Sequence, residues 1–70
     1  MITEQVGNRI RYLRNQMGLS QEKLAFSIGA DRTYISALEL GNKIASVYCL
    51  YNLSQALEVD LKDLFDFEIK

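Results

Sequence analysis

Arg32 and Thr33, with Ser36 and Ala37 one helical turn further on, have the side-chain types and spacing that suit contact with base edges. A guanidinium can donate two parallel hydrogen bonds to the O6 and N7 of one guanine. The threonine offers a hydroxyl and a methyl, so it can meet several base edges or a thymine methyl. That chemistry needs these residues at the exposed start of a helix that enters the major groove. Gln21 opens an earlier helix, where backbone N–H groups point outward and favour a phosphate. Tyr34 either lies on the side of those residues, with its hydroxyl near a phosphate, or packs beside that earlier helix. Other chemistries lack their residues. The chain has no histidine and one cysteine, Cys49. It offers no histidine base, no His–Cys or thiolate metal site and no internal disulfide. Neither catalysis nor a metal nor a cofactor is expected.

A series of short helices must position these side chains. Val6, Ile10, Leu13 and Met17 recur at i, i+4, i+7 and i+11, and predict a first helix over about 3–17 ended by Gly18. Ser20 caps a second helix of about eight residues, with Leu24, Ala25 and Ile28 inward and Gly29 at its end. Asp31 caps a third over about 32–40, with Ile35 and Leu38 inward and Gly41 after it. A connector over 42–45 leads to Ser46, the cap of a fourth helix bearing Val47, Leu50, Leu53, Ala56 and Leu57. Asp60 caps a short fifth helix with Leu61, Leu64 and Phe65. The tail 66–70 alternates apolar and charged residues and fits an edge strand, a frayed end or part of an interface. The expectation is an all-α, compact five-helix domain over 1–70.

Seventy residues allow one small core, and an apolar fraction of 49% with 24% charged residues is that of a globular chain. No apolar run approaches the ~18–20 residues of a membrane span. Residues 1–5 show no basic stretch followed by an apolar one, so no secretory signal is expected and a cytoplasmic setting is. The net charge of −1 hides an asymmetry. Residues 1–43 hold six basic and four acidic side chains, whereas 44–70 hold two basic and five acidic ones. The acidic half is not expected to face DNA.

Leu24, Ala25, Ile28, Ala30, Ile35 and Leu38 place apolar side chains around a tight turn at Gly29, the pattern of a helix-turn-helix over about 20–40. The segment Ser20-Gln21-Glu22-Lys23-Leu24-Ala25, then Asp31-Arg32-Thr33-Tyr34-Ile35-Ser36, then Leu38-Glu39 and Gly41, resembles the phage-repressor-type helix-turn-helix family, also called the xenobiotic-response-element family. The Asp-Arg-Thr-Tyr-Ile-Ser string looks most like its restriction–modification controller proteins. The resemblance covers about Val6 to Phe65.

The resemblance implies a sequence-specific regulator of transcription in a bacterial or phage setting, nucleoid-associated in the cytoplasm. It would bind a roughly palindromic operator on double-stranded DNA as a homodimer and control its own promoter. RNA polymerase is a further candidate partner, and neither a membrane nor a small-molecule ligand is expected. Base readers are then Arg32, Thr33, Ser36 and Ala37, and phosphate contacts are Gln21, Tyr34, Asn42 and Lys43. Arg14 and Glu39 match a family pair that forms a structural ion pair. Arg9 and Arg11 are left for phosphates or solvent. Helices 4 and 5, over about 46–66, carry surplus apolar surface, so Tyr48, Cys49, Tyr51, Leu64 and Phe65 are the expected dimer interface. A phage-type repressor or an antitoxin-like autoregulator fits the same residues. From another class, a protein-interaction module that has lost DNA affinity fits the negative net charge.

Overall fold

Three side-chain caps divide the chain where the sequence places them. Ser20 Oγ accepts from the backbone N–H of Lys23 at 3.0 Å, Asp31 Oδ1 from that of Tyr34 at 2.9 Å, and Ser46 Oγ from that of Cys49 at 3.1 Å. Each satisfies a donor that a helix start would otherwise leave open. The structure, a computed structural model, describes residues 2–67. It contains α1 (Ile2–Gln16), α2 (Gln21–Ser27), α3 (Arg32–Glu39) and α4 (Val47–Ala56), followed by a 3₁₀ turn over Leu61–Phe65.

The core is built from one stripe of every element. Ile10 and Leu13 of α1 meet Leu24 and Ala25 of α2, Ile35 and Leu38 of α3, Leu50 and Leu53 of α4, and Leu57 and Leu64 beyond it. Burial of each such leucine or isoleucine contributes about 1.5–3 kcal/mol. α1 packs across α3 and the 3₁₀ turn, while α2 packs on α3. Arg9 fastens the 3₁₀ turn to α1. Its Nε donates to the Asp63 carbonyl at 2.8 Å, its Nη2 lies 3.5 Å from Asp66 Oδ2, and its guanidinium stacks 5.2 Å from the centre of the Tyr12 ring. The expectation that Arg9 is left for phosphate or solvent is thereby corrected.

α1 crosses the end of α3 at Gly7, where a Cβ would meet the carbonyl oxygens of Leu38 and Glu39. Alanine is the better helix former by roughly 0.5–1 kcal/mol, yet Gly7→Ala is expected to destabilise. Forcing the two backbones apart costs about 1–3 kcal/mol. Thermal unfolding followed by circular dichroism checks this, and an unchanged or raised Tm contradicts the close crossing.

Other expectations need revision. The fifth helix is one 3₁₀ turn, in which Asp63 Oδ2 accepts from the Asp60 backbone N–H at 3.0 Å. The segment is five residues long, too short to propagate an α-helix. Met17 lies past the end of α1, where its N–H is shared between the Leu13 and Arg14 carbonyls, and its side chain is exposed. Leu64 is wholly buried in the core, so it cannot belong to a dimer interface. Of the tail, Asp66 and Phe67 form no strand, and 68–70 lie outside the described residues.

Candidate nucleic-acid interface

The turn between α2 and α3 decides what α3 presents. Ile28 N–H bonds to the Ala25 carbonyl at 3.1 Å, and Ala30 N–H bonds to the same oxygen at 2.9 Å. Closing the turn this tightly puts Gly29 at φ +72°, where a side chain is strained. Ala25 is buried, and its single methyl lets α3 approach α2 closely. With Ile35 and Leu38 drawn inward, the opposite stripe of α3 faces out. Arg32 and Thr33 on that stripe are exposed, and Ser36 and Ala37 are half-buried. The four candidate base readers thus share one face at i, i+1, i+4 and i+5.

The candidate phosphate contacts divide. Asn42 and Lys43 are exposed just past α3, where Asn42 N–H closes the helix by bonding to the Ala37 carbonyl at 2.9 Å. The Lys43 ammonium folds back to 5.8 Å from the centre of the Tyr34 ring, a cation–π distance. The hydroxyl of Tyr34 turns to α4 and not to an open phosphate site. It donates to Cys49 Sγ on α4 at 3.5 Å, and its ring packs against the core. That hydrogen bond, then burial, pushes its pKa up to about 12, so the phenol remains a neutral donor. Cys49 is consequently half-buried against Tyr34 and only part of it faces outward.

Behind the exposed stripe lies a polar network. Arg14 donates from Nε to Glu39 Oε2 at 2.6 Å and from Nη2 to Glu39 Oε1 at 3.1 Å, a two-pronged pair. Arg14 Nη1 also donates to the Leu19 carbonyl at 2.8 Å and so holds the loop into α2. The Arg14 and Glu39 side chains are 12% and 3% exposed, which makes the pair structural by position. Gln21 joins it: Nε2 donates to Glu39 Oε1 at 3.0 Å, and Oε1 accepts from Arg32 Nη1 at 3.5 Å. Periodicity gives no signal for this link, since Gln21 and Glu39 lie 18 residues apart. Also absent from the sequence reading is Phe26, 86% exposed on the outer face of α2.

α4 and the segment before it expose Ile44, Val47, Tyr48 and Tyr51, and Phe65 adds to the exposed apolar side chains. Ile44 and Phe65 line one apolar groove with Ile2 and Val6.

Comparison with known proteins agrees with this geometry. The model of the helix-turn-helix family matches residues 10–64. The chain is 44% identical over 62 residues to the control protein C.BamHI of Bacillus amyloliquefaciens, covering 87% of this chain and 76% of that protein. It is 40% identical over 60 residues to the control protein C.MunI of a Mycoplasma species, covering 84% and 81%. Among solved structures, the restriction–modification controller protein C.AhdI of Aeromonas hydrophila superposes with a TM-score of 0.87 at 40% identity, covering 90% of this chain and 91% of that one. With α2 and α3 packed around a tight turn and with these relatives, the chain belongs to the helix-turn-helix family of DNA-binding transcriptional regulators.

Proposed function

We propose that the protein is a controller-type regulator that binds a roughly palindromic operator as a homodimer. The observation that carries this reading is the outward stripe Arg32, Thr33, Ser36 and Ala37 on a helix whose opposite face is locked in the core. Its similarity to control proteins of restriction–modification systems supports autoregulation together with a neighbouring restriction gene. Arg32 takes the guanine fork, and Thr33, Ser36 and Ala37 contact neighbouring base edges. Gln21, through its backbone N–H and second amide hydrogen, and Asn42 and Lys43 steady the phosphates.

The dimer face is the exposed apolar set Val47, Tyr48 and Tyr51 on α4 with Ile44 and Phe65. A two-fold axis through it sets two copies of α3 roughly 34 Å apart, one turn of DNA. The protein acts in the cytoplasm and catalyses no reaction. RNA polymerase is a further partner where the operator lies upstream of a promoter.

Selection from a random duplex library, with retesting at two salt concentrations, tests the reading. A palindrome with half-sites about one turn apart is expected, and log affinity should fall with log salt by about 0.9 per phosphate that a Lys or Arg neutralises. Arg32→Ala is expected to relax preference at one base pair by about 1–3 kcal/mol and to leave Tm unchanged. If no sequence is enriched, the fold serves as a protein-interaction module. If Arg32→Ala instead lowers Tm steeply, Arg32 is structural.

A further inference from the structure

We infer that Leu40 is a fifth side chain of the base-reading face, an apolar contact for the 5-methyl group of a thymine. The inference rests on the DNA-reading function proposed above. Leu40 caps α3 and still follows the helical path: its φ is −83° and its ψ −7°, and its N–H bonds to the Ser36 carbonyl at 3.0 Å. At about 100° per residue it lies about 80° around the helix from Arg32, between Ser36 at about 40° and Thr33 at about 100°. Arg32 and Ala37, the latter at about 140°, bound the stripe on its two sides. Leu40 thus sits at the centre of the stripe, one turn beyond Ser36.

A lone exposed leucine is ordinary, so its place on the stripe carries the argument. Leu40 is 61% exposed, whereas Ser36 and Ala37 beside it are half-buried. Among the described residues it belongs neither to the core nor to the side chains packed against it. Gly41, at φ +78°, then turns the chain away, so Leu40 is the last side chain that α3 presents on this face. On the major-groove edges of the base pairs the distinctive apolar group is the thymine methyl, set among hydrogen-bond donors and acceptors. A leucine can neither donate nor accept, and that methyl is its complement in the groove. A rise of about 1.5 Å per residue sets Leu40 about 12 Å along the helix from Arg32, a span of at most about four base pairs.

The test uses the full chain and the duplex recovered by selection. Each thymine of one half-site is replaced in turn by deoxyuridine, which removes the methyl and keeps every hydrogen-bonding group. Affinity is measured with wild type and with Leu40→Ala. The base pair that Arg32 reads is the one whose preference Arg32→Ala abolishes. At one thymine within about four base pairs of it, the replacement is expected to weaken wild type about three- to fivefold, the worth of one buried methyl. In Leu40→Ala the same replacement should have no effect. Methyls met by Thr33 or Ala37 should matter equally in both proteins and serve as the internal control. Leu40 carries no charge, so the two proteins should share one salt slope, and loss of an exposed side chain should leave Tm unchanged.

A half-site with no thymine in that range, or one whose thymines respond alike in both proteins, overturns the inference. So does a weaker Leu40→Ala complex in which no thymine is singled out, which would make Leu40 a sugar contact. If sedimentation shows that Leu40→Ala instead weakens the dimer, Leu40 belongs to the dimer face and the inference falls. A wild-type protein that enriches no sequence overturns the DNA-reading function itself and this inference with it, a separate result that the selection gives before any deoxyuridine is introduced.

Discussion

Replacing Glu39 by alanine is expected to destabilise the protein by about 3–5 kcal/mol, the cost of breaking a buried ion pair from one side. The reason lies in what remains. Arg14, with its side chain 12% exposed, would keep its charge and lose the partner of both Nε and Nη2. Gln21 Nε2 would lose its acceptor as well, and α1, α2 and α3 would lose the point at which their polar groups meet. In a domain of this size each kcal/mol moves Tm by about 4–8 °C, so a fall of more than about 12 °C is expected. Urea unfolding at constant m gives the same quantity independently. The double variant with Arg14→Ala should cost less than the two single changes together, because neither charge is then stranded. A Tm within a few degrees of wild type for Glu39→Ala would mean that the pair does not tie the three helices.

The second large effect is expected at Gly41, and Gly18 is its control. Both residues have positive φ, +78° and +70°. A Cβ at Gly18 would meet nothing within 4 Å, whereas one at Gly41 would fall 2.6 Å from Glu4 Cγ and 2.8 Å from Glu4 Cα. Gly18→Ala therefore bears only the left-handed strain, about 1–2 kcal/mol. Gly41→Ala bears that strain and a collision with the start of α1, worth about 1–3 kcal/mol more. A total of about 2–5 kcal/mol is expected, against the smaller loss at Gly18. Thermal and chemical unfolding of the two variants side by side isolates the contact as their difference. Equal losses would show that the start of α1 yields to a methyl group.

Much of this protein is written in local patterns. Ser20, Asp31 and Ser46 each accept from a backbone N–H three residues on, which is a property of short side chains next to a helix start. Ile10, Leu13, Leu24, Ile35, Leu38, Leu50 and Leu53 are buried because their spacing gives each helix one apolar face. Glycine at 29 marks the tight turn because only glycine enters that backbone region without strain. The outward stripe on α3 follows from the same periodicity, since fixing Ile35 and Leu38 inward leaves 32, 33, 36 and 37 on the other side. Local pattern misleads where it has a substitute. Glu58 takes the left-handed φ of +58° that ends α4, a place usually marked by glycine, and nothing in its side chain announces it.

The sequence by itself determined the four α-helices, their order, the inner face of each and the outward stripe of α3. Those depend on interactions within four or five positions, which residue type and spacing express directly. Tertiary structure alone decided the contacts between elements. It turned Tyr34 toward Cys49, clamped Arg9 to the 3₁₀ turn, sank Leu64 into the core and brought Gly7 against the end of α3. It also joined Gln21 to Glu39 and so gave an internal ion pair a link to the surface. Long side chains choose among partners far away in the chain, and only the packing of whole helices settles which partner lies within reach.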